Sequence, residues 1–197
     1  MGSPASQAID GRARRAERSR GAILQALFEL IGEGSLSPTA QQVAERAGVG
    51  LRSVFRHFRD MESLFAEVDA RLLRELEPFA QGPPAQGPLA YRVRELAARR
   101  ARLFERIAPY KRSANAQRAA SPFLTARHTE LVRRLRAALR RWLPELAAAP
   151  EETAAAIELL CSFEAWDRLR ADQRLSRERA QTTVARAVLA LIEPLGC

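Results

Sequence analysis

The sequence predicts an all-α protein, and three features carry that expectation. Apolar residues make up 47% of the chain but aromatics only 6%, so the core must be assembled from Ala, Leu, Val and Ile. Ala and Leu lead the helix formers, whereas the β-branched and aromatic residues that favour strands are sparse. The Pro and Gly residues gather between stretches whose apolar positions repeat every three or four residues, as helix punctuation does. A length of 197 residues suits one large domain, or a small domain followed by a medium one. The pattern divides the chain into a flexible tail over 1–11, a three-helix domain over 12–59, a connecting helix over 60–80 and a larger helical domain over 88–197.

A first helix is expected from Arg12 to Glu33, with Ile23, Leu27, Leu30 and Ile31 on one face and Gly32 and Gly34 at its end. Thr39 is a good N-cap for a short helix over Ala40 to Ala47. Gly48 supplies a turn, and a second short helix spans Leu51 to Phe58. Asp60 caps a longer helix striped by Met61, Leu64, Phe65, Val68, Leu72 and Leu76. The Gly- and Pro-rich run over 81–88 breaks the pattern. Beyond it, helices are expected over 88–108, 110–119, Pro122–Trp142, Pro150–Asp172 and Ser176–Leu195.

The stretch from Thr39 to Phe58 meets the demands of a helix-turn-helix, in which two short helices are fixed at a steep angle so that the second can enter a DNA major groove. Val43 and Ala44 face inward on the first helix, and Ala permits close approach of its partner. Gly48 tolerates the left-handed backbone of the reversal. Val49, Val54 and Phe58 seat the second helix. Arg52, Ser53, Arg56 and His57 are left pointing outward, all able to meet bases or phosphates.

With Thr39, Val43-Ala44, Ala47-Gly48-Val49 and Phe55-Arg56-His57-Phe58, followed by Leu64-Phe65, the segment from Ile23 to Val68 resembles the DNA-binding domain of the TetR family. That pattern is Thr-x-x-x-Ile-Ala-x-x-Ala-Gly-Val, then a recognition helix ending in an aromatic, any residue, His and an apolar residue. Phe55 departs from the usual Tyr and lacks its phosphate-donating hydroxyl. Met61 stands where many members carry Lys, and Arg56 and Arg59 are the neighbouring replacements.

The resemblance implies a repressor that leaves a palindromic operator when a small, mostly apolar effector binds, working as a homodimer without cofactor or metal. The expected DNA-contacting set is Thr39, Gln41, Arg52, Ser53, Phe55, Arg56, His57 and Arg59. Thr39 serves there as both N-cap and phosphate contact, Phe55 mainly as a packing residue, and His57 as a phosphate contact by family position. The effector pocket is expected among Leu72, Leu76, Phe104, Tyr110, Phe123, Phe163 and Trp166. The dimer face is expected on the last two helices, at Ala155, Leu159, Ser162 and Trp166 on one and Val184, Val188 and Leu191 on the other.

The net charge of +9 suits a polyanionic partner, but its distribution is uneven. Residues 88–142 carry fifteen basic side chains against three acidic ones, and most of these are expected to be solvated because a buried, unpaired Arg is costly. Arg12, Arg14, Arg15, Arg18 and Arg20 form a basic run near the start, readable as a solvated arm or as a DNA-contacting one. An alternative that uses Arg for charge alone is a non-specific architectural nucleic-acid-binding protein. An enzyme is disfavoured: there is no Gly-rich phosphate loop, no metalloprotease motif and no nucleophile elbow, and only His57 and His128 are available for acid-base work. Cys161 and Cys197 have no metal-ligand spacing. The absence of a long apolar run or a secretion signal leads us to expect a cytoplasmic protein with no membrane segment.

Overall fold

The computed structural model describes the backbone of residues 4–81, 83–84 and 86–192, and the side chains of 14–74, 83–84 and 86–192. Among them every regular element is helical: α1 (Pro4–Gly32), α2 (Ala40–Ala47), α3 (Leu51–His57), α4 (Met61–Gln81), α5 (Leu89–Gln117), α6 (Pro122–Trp142), α7 (Glu151–Leu160), α8 (Phe163–Asp167) and α9 (Arg177–Ile192), with short 3-10 turns at Arg118–Ala120 and Pro144–Ala147 and a π-helical turn at Arg168–Asp172. No helix among the described residues is long and apolar enough to cross a membrane.

Three boundaries differ from expectation. Helix α1 starts at Pro4 rather than Arg12, so most of the expected flexible tail is helical; Pro is tolerated in a first turn, and Ala5, Gln7 and Ala8 are good helix formers. Helix α5 runs unbroken through Pro109, merging the two expected helices, because a proline removes one amide donor while helix-favouring residues continue on both sides. The expected helix Pro150–Asp172 instead breaks at Cys161 and Ser162. There the Ser162 hydroxyl accepts the Ala165 N–H at 3.1 Å and starts α8 as an N-cap.

The chain forms two compact units, residues 1–74 with 109–125, and residues 75–108 with 126–197. This departs from the linear division at 60 and 88. The connecting helix is split between the units after Arg74, and α5 changes unit at Pro109.

In the first unit, α1, α2 and α3 pack on one another around Ile23, Leu27, Ile31, Val43, Ala44, Val54 and Phe58, and Leu64, Phe65 and Val68 of α4 close the same core. Residues 109–125 complete it. The Tyr110 ring lies 4.6 Å from Phe28, and Ser113 Oγ and Gln117 Nε2 donate to the Leu36 carbonyl at 2.9 and 3.0 Å.

The second unit is built on Val93, Leu96, Leu139, Trp142, Leu143, Ile157, Val184, Val188 and Ile192. Arg92 joins Glu145 and the Trp142 carbonyl. Arg100 is buried, contrary to the expectation of a solvated basic block, and donates to the Leu135 carbonyl at 2.7 Å and to the Cys161 carbonyl at the end of α7. Burial pulls its pKa down, and the two carbonyls accept from both of its terminal nitrogens. Lys111 of the same segment is likewise buried and donates to Asn115 Oδ1 at 2.7 Å, whereas Arg94, Arg102, Arg106, Arg133, Arg134, Arg136, Arg140 and Arg141 are exposed as expected.

Candidate nucleic-acid interface

The interface is built on α2 and α3. Thr39 begins α2 with a reciprocal capping box: its hydroxyl accepts the Gln42 N–H at 3.2 Å, and Gln42 Oε1 accepts the Thr39 N–H at 2.8 Å. Gln42 was not singled out from the sequence, although the spacing Thr-x-x-Gln is the signal that marks it. The helix ends in a Schellman turn. Gly48 adopts φ 66° and ψ 33°, while its N–H and that of Val49 bond the Glu45 and Ala44 carbonyls. A side chain at Gly48 would be strained by the left-handed backbone alone.

Helix α3 then presents its residues as the apolar pattern demands. Val54 and Phe58 are buried, 1% and 3% exposed. Arg52 and Arg56 are exposed, four residues apart on one face, and Ser53 is half-buried. Arg56 Nη2 sits 3.5 Å from Ser53 Oγ, the limit of hydrogen bonding.

Phe55 was expected to pack but is 49% exposed, as is Leu51 at 40%, because Val54 and Phe58 already occupy the inward face. His57 is half-buried, with its Nε2 shielded and without a hydrogen-bond partner. Nε2 is therefore closed to a phosphate. Gln41 is exposed and donates to Glu45 Oε1 at 2.7 Å. Arg59 pairs with Asp60 at 2.9 Å. Asp60 in turn caps α4 by accepting the Ser63 N–H at 2.7 Å, and that N–H, then the Arg59 guanidinium, hold its carboxyl below the usual range.

Two arginines brace the unit. Arg46 makes a two-pronged pair with Glu33, at 2.8 and 2.7 Å, tying the end of α2 to the segment after α1. Arg20, part of the basic run, is paired with Glu67 and lies 5.2 Å above the Phe58 ring, which gives it a structural use. Arg14, Arg15 and Arg18 are exposed on α1, and the side chain of Arg12 lies outside the described residues.

The expected effector residues fall in both units. Phe104, Phe163 and Trp166 form one buried cluster in the second unit, with ring centroids 5.8 and 6.4 Å from Phe104. Trp166 Nε1 donates to Glu105 at 3.0 Å, and Arg170 Nε donates to the same carboxylate at 2.8 Å. Glu105 and Arg170 were not identified from the sequence, since their pairing spans the fold. Tyr110, Leu72 and Phe123 belong to the first unit, and the side chain of Leu76 lies outside the described residues.

Of the expected dimer face, Ala155 and Leu159 are exposed, Leu159 at 64%. Val184 and Val188 are buried in the core of their own unit, at 7% and 0%, with Leu191 packed against it. Trp166 is likewise internal, while Leu191 and Ser162, which caps α8, stay partly exposed, so Val184, Val188 and Trp166 are the members of the expected face that lie inside their own unit.

Residues 23–68 match the family described as bacterial regulatory proteins, tetR family. Comparison with curated protein sequences finds no match. Among solved structures, the fold is similar to a transcriptional regulator from Rhodococcus sp. Rha1 (TM-score 0.66, 19% identity, 91% of this chain and 96% of that one). It is also similar to a tetR-family transcriptional regulator from Streptomyces coelicolor (TM-score 0.67, 19% identity, 91% and 82%). A TetR transcriptional regulator from Rhodococcus sp. RHA1 gives a TM-score of 0.54 at 23% identity, over 91% and 97% of the two chains. At such identities the neighbours speak for the fold, and the matched residues are the helix-turn-helix just described. Residues 23–68 thus carry the helix-turn-helix of the tetR family, and the chain has the fold of TetR-family transcriptional regulators.

Proposed function

We propose that this protein is a transcriptional repressor that binds a palindromic operator as a two-fold dimer and leaves it when a small, mostly apolar effector binds the second unit. The observation that carries the reading is the recognition helix α3, held by the Schellman turn at Gly48, with Arg52 and Arg56 exposed on one face. Arg is the commonest reader of guanine O6 and N7 in the major groove. A seven-residue helix reaches few base pairs, so useful specificity needs two half-sites and two chains. Exposed Ala155 and Leu159 on α7 and Thr182 and Thr183 on α9 support a dimer surface there.

We propose the cluster of Phe104, Phe163 and Trp166 as the effector region, where Trp166 and Arg170 share the Glu105 carboxylate beside the packed rings. Its signal passes through α4 and α5, the helices whose chain runs from one unit into the other. A ligand shifts the balance only by its difference in affinity for the DNA-binding and released states. The effect on operator affinity must therefore equal the effect of operator on ligand affinity.

The test is selection of bound sites from random duplex DNA, followed by operator titration with each ligand that raises thermal stability. A palindromic selected site, weakened by at least one stabilising ligand, is the expected result. Binding without sequence preference would instead identify an architectural protein. Stabilising ligands that all leave operator affinity unchanged would reduce the second unit to a dimerisation platform.

A further inference from the structure

Resting on the reading of a sequence-specific DNA-binding regulator, we propose that α3 reads thymine 5-methyl groups with an apolar stripe formed by Leu51 and Phe55, alongside the basic stripe of Arg52 and Arg56. Leu51 and Phe55 are 40% and 49% exposed. They stand four residues apart, so they stack on one face of the helix. Arg52 and Arg56 follow each by one residue, about 100° further round the same short helix. The two stripes are therefore adjacent, one apolar and one cationic.

The fold itself gives the apolar stripe no inward task. Val54 and Phe58 fill the core side of this segment, at 1% and 3% exposure, and leave Phe55 pointing outward. A Phe and a Leu held in water forgo the gain of burial, so their place beside two arginines calls for an apolar partner on a polyanion. Phe55 has no hydroxyl and cannot donate to a phosphate. In the major groove the apolar group on a base edge is the C5 methyl of thymine, and apolar side chains contact it. Guanine beside it offers the two acceptors that an arginine takes. The structure thus assigns a half-site in which thymines read by Leu51 and Phe55 neighbour guanines read by Arg52 or Arg56.

The experiment starts from the site selected out of random duplex DNA by the full-length protein. Each thymine is replaced in turn by uracil, which removes the methyl and leaves base pairing and every hydrogen-bonding group in place. The expected result is a loss of about fourfold in affinity per contacted methyl, the scale for burying one such group, at one or two positions in each half-site. With Phe55→Ala or Leu51→Ala, the uracil penalty at the cognate position vanishes while the other position keeps its own, the coupling that a double-mutant cycle isolates. Both side chains lie outside the core, and a thermal melt of each variant checks that the fold is retained.

A selected site in which uracil is neutral at every position overturns the inference. So do uracil penalties that persist unchanged in both variants, because the methyls then act through DNA shape. Variants that bind the operator normally but lose self-association make the stripe a protein contact and also overturn it. If no preferred sequence emerges from the selection, the regulator reading fails first and the inference falls with it.

Discussion

Thr39, Arg52, Arg56 and His57 differ in what each loses when truncated, and this makes their roles separable. Thr39→Ala removes the acceptor for the Gln42 N–H, and about 1 kcal/mol of stability should go with it. Thr39→Ser should retain the cap, and thermal melts compare the two. Replacing Arg52 or Arg56 by Ala should weaken binding to the selected operator by about 1–3 kcal/mol and relax specificity at the base it reads. Titrations against operator and scrambled duplexes measure this, and unchanged binding in both variants would mean that α3 does not enter the groove. His57→Ala should instead weaken all duplexes alike and lower the salt slope by about one. The shielding of Nε2 closes that atom to such a contact. Core positions of this segment were legible in the sequence because local spacing decides them: Val43, Ala44, Val54 and Phe58 are all buried as expected. Phe55 was not, since spacing alone does not say that its neighbours already fill the inward face. Arg20 was equally opaque, because its partner Glu67 is 47 residues away.

Among the elements, α8 and the π-helical turn after it depend on two polar side chains. Ser162→Ala removes the cap from a five-residue helix and should cost about 1 kcal/mol in a chemical unfolding curve. Glu105 joins α5 to this segment through Arg170 and Trp166. The Arg170 guanidinium, with help from the Trp166 N–H, holds the Glu105 carboxyl below the ordinary carboxylate range. Its folded pKa is therefore lower than its unfolded one. Stability from this group is fully present above the unfolded value of about 4.3 and is lost as pH falls through the lower folded value. Wild type should melt higher than Glu105→Gln at pH 7, and the difference should shrink as the pH drops below about 4. A difference that stays constant across that range would exclude the ionic contribution. The breaks around this segment also mark where periodicity misleads. The apolar spacing of 150–172 continues across Ser162, but the hydroxyl takes the Ala165 amide that an unbroken helix would use internally.

For the molecule as a whole, dimerisation is the property most open to direct measurement. Leu159 is 64% exposed on α7, so Leu159→Arg should leave the fold of the monomer intact. Sedimentation should find the wild type dimeric at micromolar concentration, with this variant shifted to monomer and weaker on a two-half-site operator. A wild type that sediments only as monomer would overturn the dimer, and a dimeric variant would move the contact away from α7. By itself, the sequence determined the helical class, the boundaries of α2, the turn at Gly48 and the outward arginines of α3, because caps, turns and the 3.6-residue period act over a few neighbouring residues. Only the tertiary structure decided that 109–125 completes the first unit through Tyr110 and Ser113, that Glu105 gathers Trp166 and Arg170, and that Val184 and Val188 are spent inside their own core. An apolar stripe specifies that a helix face must be covered, and the same Val or Leu satisfies that need against its own chain or another. Which surface covers it is settled by contacts between residues far apart in sequence.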